Sequence, residues 1–304
     1  MTFHETGRLL RRAELLAAGT LNDQTVRAGL KSGALERRCA GVYAPPSEDL
    51  SKDDIYLERV HARAGRSRVR VISHDSAAAV HNLALLDQDY RRVHLTDRRG
   101  GRITHDLHLH EAELEAGEIT VVEGHRVTTI ARTVADVARE GSFYEALAVC
   151  DSGLRSGLPQ AGLDEMADRF RGFVGGAILR DAVSLADGQA ANPGESLSRG
   201  LMRSFPEVPR PRLQHPFYDD EGLIGYSDFD WEGRVVGEFD GLHKYRKYLG
   251  PGESIEDAVI REKRREDRLR ALGIHVMRWT WKDLQDAVRF RALIARGLRM
   301  GGLL

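Results

Sequence analysis

The sequence predicts a multi-domain α/β protein, and three observations lead there. At 304 residues the chain is longer than one hydrophobic core usually serves. From about residue 50 onward, strand-like alternation and helix-like spacing succeed one another in two blocks, parted by the turn signal Asn192-Pro193-Gly194. The front of the chain is different again: helix, turn, helix and hairpin, ending at Pro45-Pro46. The expected domains are therefore 1–46, an α+β middle domain over 47–190, and a third domain over 191–304 in which strands lie among helices.

Composition sets the bounds. Hydrophobic residues at 41% and charged ones at 30% leave enough apolar surface for several cores and argue against a disordered chain. The two cysteines, Cys39 and Cys150, stand far apart and in no metal-ligand spacing, so no disulfide framework is expected and a reducing cytoplasm fits. The start, MTFHETGRLLRR, lacks the apolar run of a signal peptide, and nowhere do eighteen apolar residues run together, so a soluble protein without a membrane partner is expected. The net charge of −1 averages over uneven segments: residues 1–46 hold seven Lys/Arg against four acids, and REKRREDRLR over 261–270 holds six against three. Such patches suit either nucleic-acid contact or a solvated face.

In the first segment, Leu9, Leu10 and Ala13 to Ala17 have helical spacing, and Gly19 stops that helix. Asn22 or Asp23 caps a second helix through about Lys31, because a short side-chain oxygen satisfies the free amides of a first turn; Gly33 ends it. ALERRCAGVYAPP then reads as two short strands about a turn at Ala40-Gly41. This is the outline of a winged helix, in which the second helix enters the major groove. Gln24, Arg27 and Lys31 would face DNA, and Arg37 and Arg38 beside the wing would meet phosphates. The alternative is a small cap that packs only on the rest of the chain.

The middle segment has no motif that compels chemistry. RRVHLT, HDLHLH and ITVVEGHRVTTI read as strands; ARTVADVARE, FYEALAVCDSGLR and LDEMADRF read as helices. His105, His108 and His110 invite a metal reading because alternate residues share a strand face, but no further ligand is marked nearby, which favours half-exposed strand histidines. His74 and His81 flank the small-residue helix SAAAV, where packing or capping accounts for them.

The third segment carries the chemistry. A helix over 194–204 holds Glu195 in its first turn, where the helix dipole alone favours a carboxylate. Strands are expected at 212–218, 223–231 and 235–240, then an amphipathic helix over about 254–272, the strand IHVMRW and a final helix. Strands 223–231 and 235–240 meet at Glu232-Gly233-Arg234. With a three-residue loop, Trp231 faces Val235, Phe229 faces Gly237 and Asp228 faces Glu238. One face is then Phe229, Trp231, Val235 and Phe239; the other is Tyr226, Asp228, Asp230, Glu238 and Asp240, broken only by Val236. A two-residue loop would mix acids and aromatics on both faces, so the three-residue register is preferred. Two carboxylates about 4 Å apart repel by roughly 4 kcal/mol at an effective dielectric near 20. A proton or a cation must sit among them, and carboxylate oxygens suit Mg²⁺ or Mn²⁺. A solvated acidic hairpin facing nearby arginines is the alternative, and Asp240-Gly241 also reads as a turn.

These strings have a familiar order. GESLSR, YSDFDW, VVGEFDGLHKY and REKRREDRLRALGIHVMRWTWKDL, over about 192–285, resemble the very-short-patch-repair-like branch of the PD-(D/E)XK nucleases. The resemblance implies a restriction-endonuclease-like mixed sheet flanked by helices, with Asp228 and Glu238 as metal ligands, Glu195 as a supporting carboxylate and Asp240 as an added acid. Asp240 stands where that superfamily usually has Lys; His243 or Lys244 would supply the missing proton donor or cation. The front two-thirds, through LKSGALERRCAGVYAPP, SHDSAAAVHNLALL with VHLT, and VTTIARTVADVAR, resemble the AbiEi-like antitoxins of type IV toxin–antitoxin systems. That resemblance implies promoter binding and a cognate toxin as partner. Two functions follow: a Mg²⁺- or Mn²⁺-dependent endonuclease delivered to duplex DNA by the winged helix, or a repressor whose nuclease-like domain is silent. The crowded acids favour the first; the missing Lys and the antitoxin-like front favour the second. Winged-helix proteins often form homodimers on palindromes, but nothing in the sequence marks a dimer face.

Overall fold

Short polar side chains at the helix starts set most element boundaries. In the computed structural model, which describes residues 9–13, 22–46, 49–67, 69–241 and 254–304, the Asn22 side chain accepts from the Thr25 amide and Thr25 answers the Asn22 amide. This capping box opens α1 (Asp23–Ser32), and Gly33 at φ 77° closes it, a left-handed backbone that glycine takes without a Cβ clash. The protein is a mixed α/β chain that divides into two compact units, Met1–Leu83 with Asp87–Val137, and Ala84–Leu86 with Ala138–Leu304.

The first unit opens with β1 (Leu10–Arg11), followed after α1 by the hairpin β2 (Glu36–Cys39) and β3 (Val42–Ala44) in the order β1-β3-β2. The helical spacing from Leu9 is overturned at its start. Leu10 and Arg11 pair with Tyr43 and Val42, giving the hairpin a third strand, while Leu9 packs with Cys39, Val42 and Ala62. Arg12 and Ala13 are helical, and residues 14–21 of the expected helix lie outside the described residues. Ala62 lies on α2 (Lys52–Ala64), capped by Ser51 and Asp54.

The rest of this unit is a mixed six-stranded sheet ordered β6-β7-β5-β4-β9-β8. Its strands are β4 (Val71–Ile72), β5 (Val93–Asp97), β6 (Arg102–Ile103), β7 (Leu107–Glu111), β8 (Ile119–Val122) and β9 (His125–Thr128); α3 (His74–Val80) follows β4. The run ITVVEGHRVTTI, expected as strand throughout, folds back on itself. Glu123 at φ 49° and Gly124 at φ 77° make a two-residue turn between β8 and β9 that matches strand twist. The core joins Tyr56, Val60 and Ala64 of α2 to Ile72, Val93, Leu95, Leu107, Leu109 and Val127. The chain passes to the second unit within α4 (Ile130–Glu140), whose buried Arg132 is held by Glu118 at 3.0 Å and Asp136 at 2.9 Å.

In the second unit, α5 (Phe143–Arg155), α6 (Gln160–Arg169) and α7 (Gly176–Leu185) precede α8 (Pro193–Met202). A four-stranded mixed sheet follows, ordered β10-β11-β12-β13: β10 (Arg212–Asp219), β11 (Gly222–Trp231) and β12 (Val235–Asp240) are antiparallel, and β13 (His275–Thr280) runs parallel to β12 after α9 (Ile255–Ala271). The chain ends in α10 (Trp281–Leu284) and α11 (Ala287–Met300). One face of the sheet buries Phe229, Trp231, Val235, Phe239 and Trp279 with Leu201 and Met202 of α8 and Phe290, Ile294 and Leu298 of α11. On the other face, Phe217, Ile224 and Val236 pack with Leu269 of α9 and with Ile274. Both faces are covered, and the site lies where this second face turns from apolar to acidic. Among the described residues no helix is long and apolar enough to cross a membrane.

Candidate functional site

The hairpin β11–β12 has the register expected of a three-residue loop: Trp231 faces Val235 and Phe229 faces Gly237. Glu232 and Gly233 take positive φ in the loop, and the Gly233 amide donates to Asp230 Oδ1 at 3.0 Å. Asp230 is fully buried, bonded to Arg212, and serves the turn. Gly237 has no room for a side chain, since a Cβ there would stand 2.5 Å from the Trp279 ring. One step past the Phe229–Gly237 pair, the Phe239 amide donates to Asp228 Oδ2 at 2.8 Å. The Asp228 carboxylate thereby joins the two strands just where the acidic stretch begins.

Four predicted acids line one cleft of about 320 Å³: Glu195, Asp228, Glu238 and Asp240. Asn192, Gln214 and Tyr226 share it, and so do three arginines, Arg261, Arg265 and Arg278. Asp228 and Glu238 are each 8% exposed and Glu195 2%, so these are buried carboxylates at the base of the cleft.

Glu195 is placed by its helix. Asn192 caps α8, accepting from the amides of Gly194 and Glu195, and its own amide group donates to Glu195 Oε1 at 2.5 Å. The Ala191 amide donates to Glu195 Oε2 at 2.7 Å. The helix-serving role expected for Glu195 is therefore present alongside its place in the cleft. Two further anchors fix α8. Arg199 holds Asp151 of α5 through a forked pair at 2.7 Å, and Trp279 donates to Ser198 at 2.8 Å. Burial pushes Asp151 above the usual carboxylate range, against the pull of Arg199. Gly194 lies against the Phe239 ring, with no space for a Cβ.

Arg261 and Arg265 come from the basic run 261–270, which proves to be only partly a solvated face, and Arg278 comes from β13. Arg265 donates to Glu238 Oε1 at 2.8 Å, to the Tyr226 carbonyl at 2.7 Å and to Glu262 at 3.0 Å. Burial alone would lower its guanidinium, but Glu238 and Glu262 hold it above its ordinary value. Arg278 of β13 binds Glu262 at 2.7 Å and Glu266 at 3.0 Å, and Arg268 binds Asp219. Arg261, Lys263 and Arg264 remain exposed. Sequence reasoning missed Arg265 and Arg278 as members of the site. The one local signal for Arg265 was helical spacing, which puts Arg261, Arg265 and Arg268 on one side of α9; Arg278, on β13, had none.

The donors suit a hard divalent ion, being carboxylate oxygens in a cleft with room for water. The expected triad of Asp228, Glu238 and Glu195 is nevertheless not drawn together as direct ligands. Among the described residues, the sets of three or more side chains with ligand atoms mutually within 4.8 Å do not include it. His243 and Lys244, expected to replace the missing Lys, lie outside the described residues.

The set expected to face DNA is split. Gln24, Arg27 and Lys31 stand exposed on α1, one and two turns apart, and Arg37 is exposed on β2. Arg38 is 7% exposed, its guanidinium held by Glu58 of α2 and by Glu36 at 2.6 Å, so it fastens the hairpin to α2.

No family model matches the chain. No curated protein matches it. Three solved chains do, among them the crystal structure of the RV2827C protein from Mycobacterium tuberculosis. That chain is 15% identical over 59% of this chain and 77% of its own, with a TM-score of 0.36.

Proposed function

We propose that this is a DNA-binding protein whose C-terminal unit is a divalent-metal-dependent endonuclease. The observation that carries the reading is the convergence of Glu195, Asp228, Glu238 and Asp240 with Arg261, Arg265 and Arg278 in one cleft. Phosphodiester hydrolysis needs both signs of charge: carboxylates to hold Mg²⁺ or Mn²⁺, and cations to receive the phosphate. Asp228 and Glu238 would hold the ion and Glu195 would support it from the helix side; the bound metal would activate water and stabilise the leaving oxygen. Arg261, exposed and lining the cleft, would meet the phosphate backbone. The exposed row Gln24, Arg27 and Lys31 would supply duplex binding.

A second reading rests on one contact. Arg265 already sets a cation against Glu238 at 2.8 Å, as a silent domain requires to neutralise its acids. The protein would then be an AbiEi-like repressor or antitoxin that binds DNA without cutting it and has a toxin as partner. Both readings predict DNA binding, so cleavage decides. Purified protein incubated with plasmid and single-stranded DNA in Mg²⁺, Mn²⁺ or EDTA should nick only with metal. Asp228→Ala and Glu238→Ala should abolish nicking while leaving duplex affinity unchanged. Binding without cleavage in either metal, or cleavage undiminished in both variants, removes the nuclease assignment.

A further inference from the structure

The six-stranded sheet of the first unit gathers four histidines that the cleft does not use. The spacing of His105, His108 and His110 pointed to one strand face, but His105 lies outside β7 and is exposed. Its place is taken by His94 of β5, because β5 and β7 run parallel with His94 opposite His108. His94 Nδ1 and His110 Nε2 are 3.0 Å apart, and one ring nitrogen from each of His94, His108 and His110 lies within 4.8 Å of the others. His74, at the start of α3, stacks on the His110 ring at 3.5 Å between centroids and 9° between planes.

One nitrogen of the cluster stands apart. His94 is 6% exposed, and its Nε2 has no hydrogen-bond partner among the described residues. Asp89 Oδ2 lies 3.8 Å from that atom. A proton on Nε2, turned toward Asp89, leaves the Nδ1 lone pair facing His110 Nε2. This carboxylate–histidine arrangement is how metal-ligating imidazoles are commonly oriented.

We infer that His94, His108 and His110 form a transition-metal site in the first unit, with Zn²⁺ as the best-suited ion, Asp89 orienting His94, and His74 covering His110. Three neutral imidazoles are borderline donors that prefer zinc and its first-row neighbours over Mg²⁺. Tetrahedral zinc with nitrogens about 2.0–2.1 Å away needs them roughly 3.3 Å from one another. The 3.0 Å pair already meets that spacing, and the 4.8 Å limit on the others asks only a modest closing. The three imidazoles leave a fourth position for water or another ligand. The assignment is independent of the carboxylate cleft, whose hard oxygens select a different class of ion.

The test is direct metal uptake by the full chain. Protein stripped with EDTA and dialysed is titrated with ZnCl₂ by calorimetry and with CoCl₂ by visible absorption. One ion per chain is expected, with a d–d band typical of nitrogen-ligated Co²⁺. His94→Gln and His110→Asn should each weaken binding at least 100-fold and Asp89→Asn by about 10–100-fold, while His105→Asn leaves it unchanged. Asp228→Ala should retain the site, which places it away from the cleft. Because a core-histidine variant can fail to fold, the wild-type Co²⁺ titration stands alone: no d–d band at one equivalent overturns the assignment. So does zinc affinity unaltered in a folded His110→Asn variant.

Discussion

Arg265→Met tests how the acidic cleft is neutralised. Arg265 reaches Glu238 at 2.8 Å, and the two side chains are 16% and 11% exposed. At an effective dielectric near 20 that separation corresponds to roughly 6 kcal/mol of Coulomb attraction. Burial has already taken hydration from both groups, so the measurable loss is smaller; removing one partner of a buried pair typically costs about 3–5 kcal/mol. Residual exposure lets water reach Glu238, which places this variant near the lower end, at about 3 kcal/mol. For a unit of about 170 residues that lowers the melting temperature by roughly 6–12 °C. Methionine keeps the apolar stem, so packing loss contributes little.

The informative arm adds metal. With Arg265 gone, Glu238 and Asp228 are left to a divalent ion, and affinity rises. If the dissociation constant falls from about 10 mM to about 1 mM, 10 mM Mg²⁺ stabilises wild type by about 0.4 kcal/mol and the variant by about 1.4 kcal/mol. Differential scanning calorimetry in EDTA and in 10 mM Mg²⁺ reads this as a partial rescue confined to the variant. Glu238→Gln with Arg265→Met should lose both the deficit and the rescue. A variant that melts at the same temperature in EDTA and Mg²⁺ would refute the idea that guanidinium and metal compete for this carboxylate. A variant as stable as wild type would refute the ion pair itself.

Three further outcomes are expected. Gly194→Ala puts a Cβ about 2.0 Å from the Phe239 ring, so the urea midpoint should drop by the equivalent of roughly 1–3 kcal/mol, with metal response impaired because Glu195 shifts with its helix. Arg27→Ala should lower the salt slope of duplex binding by about one at unchanged stability, whereas Arg38→Ala should destabilise the hairpin by about 2–4 kcal/mol, since Glu58 loses its buried partner. Finally, His94 has a folded pKa of about 3 against an ordinary 6.5, so the folded state refuses a proton that the unfolded chain accepts. Its contribution is intact above the ordinary value and falls away as pH drops below it; between pH 7.5 and 5.5, in EDTA, it amounts to roughly 1.4 kcal/mol. The groups facing it are His74, His108, His110 and Asp89, and His94→Gln should remove that part of the acid sensitivity in chemical unfolding.

What was legible in the sequence was local. Alternation along β11 and β12, with Gly233 to turn the chain, put Trp231 against Val235 and Phe229 against Gly237, and those pairs form. The helix start at Asn22 or Asp23 was legible for the same reason, because a cap is a signal within three residues of the group it satisfies, and Asn22 proves to be the cap; Asn192, read as a turn, caps α8. The start expected for the first helix at Leu9 was set too early, because Leu10 and Arg11 pair with β3, a partner some thirty residues further on. The run ITVVEGHRVTTI is strand as expected, in two pieces, and the turn at Glu123-Gly124 between them was not marked by the alternation.

The site shows the same division between local and distant. Hairpin register delivers Asp228 and Glu238 side by side, but their neutralising cation is 27 residues beyond Glu238, on a helix that returns before β13. The histidine cluster is non-local as well: parallel pairing of β5 with β7 brings His94 to His110, sixteen residues away, and no spacing rule on one strand selects that partner. Clustered carboxylates must be neutralised in any architecture, so their presence alone does not distinguish a metal centre from an ion-paired face. The position of the nearest guanidinium does. Arg265 touches Glu238, the neighbouring Glu262 and the Tyr226 carbonyl together, which fixes it across the acidic strand pair. A metal at Asp228 and Glu238 would share Glu238 with Arg265, whose hydrogen bond takes Oε1. On the nuclease reading the two cations would compete for that carboxylate, and the response of Arg265→Met to Mg²⁺ decides whether they do.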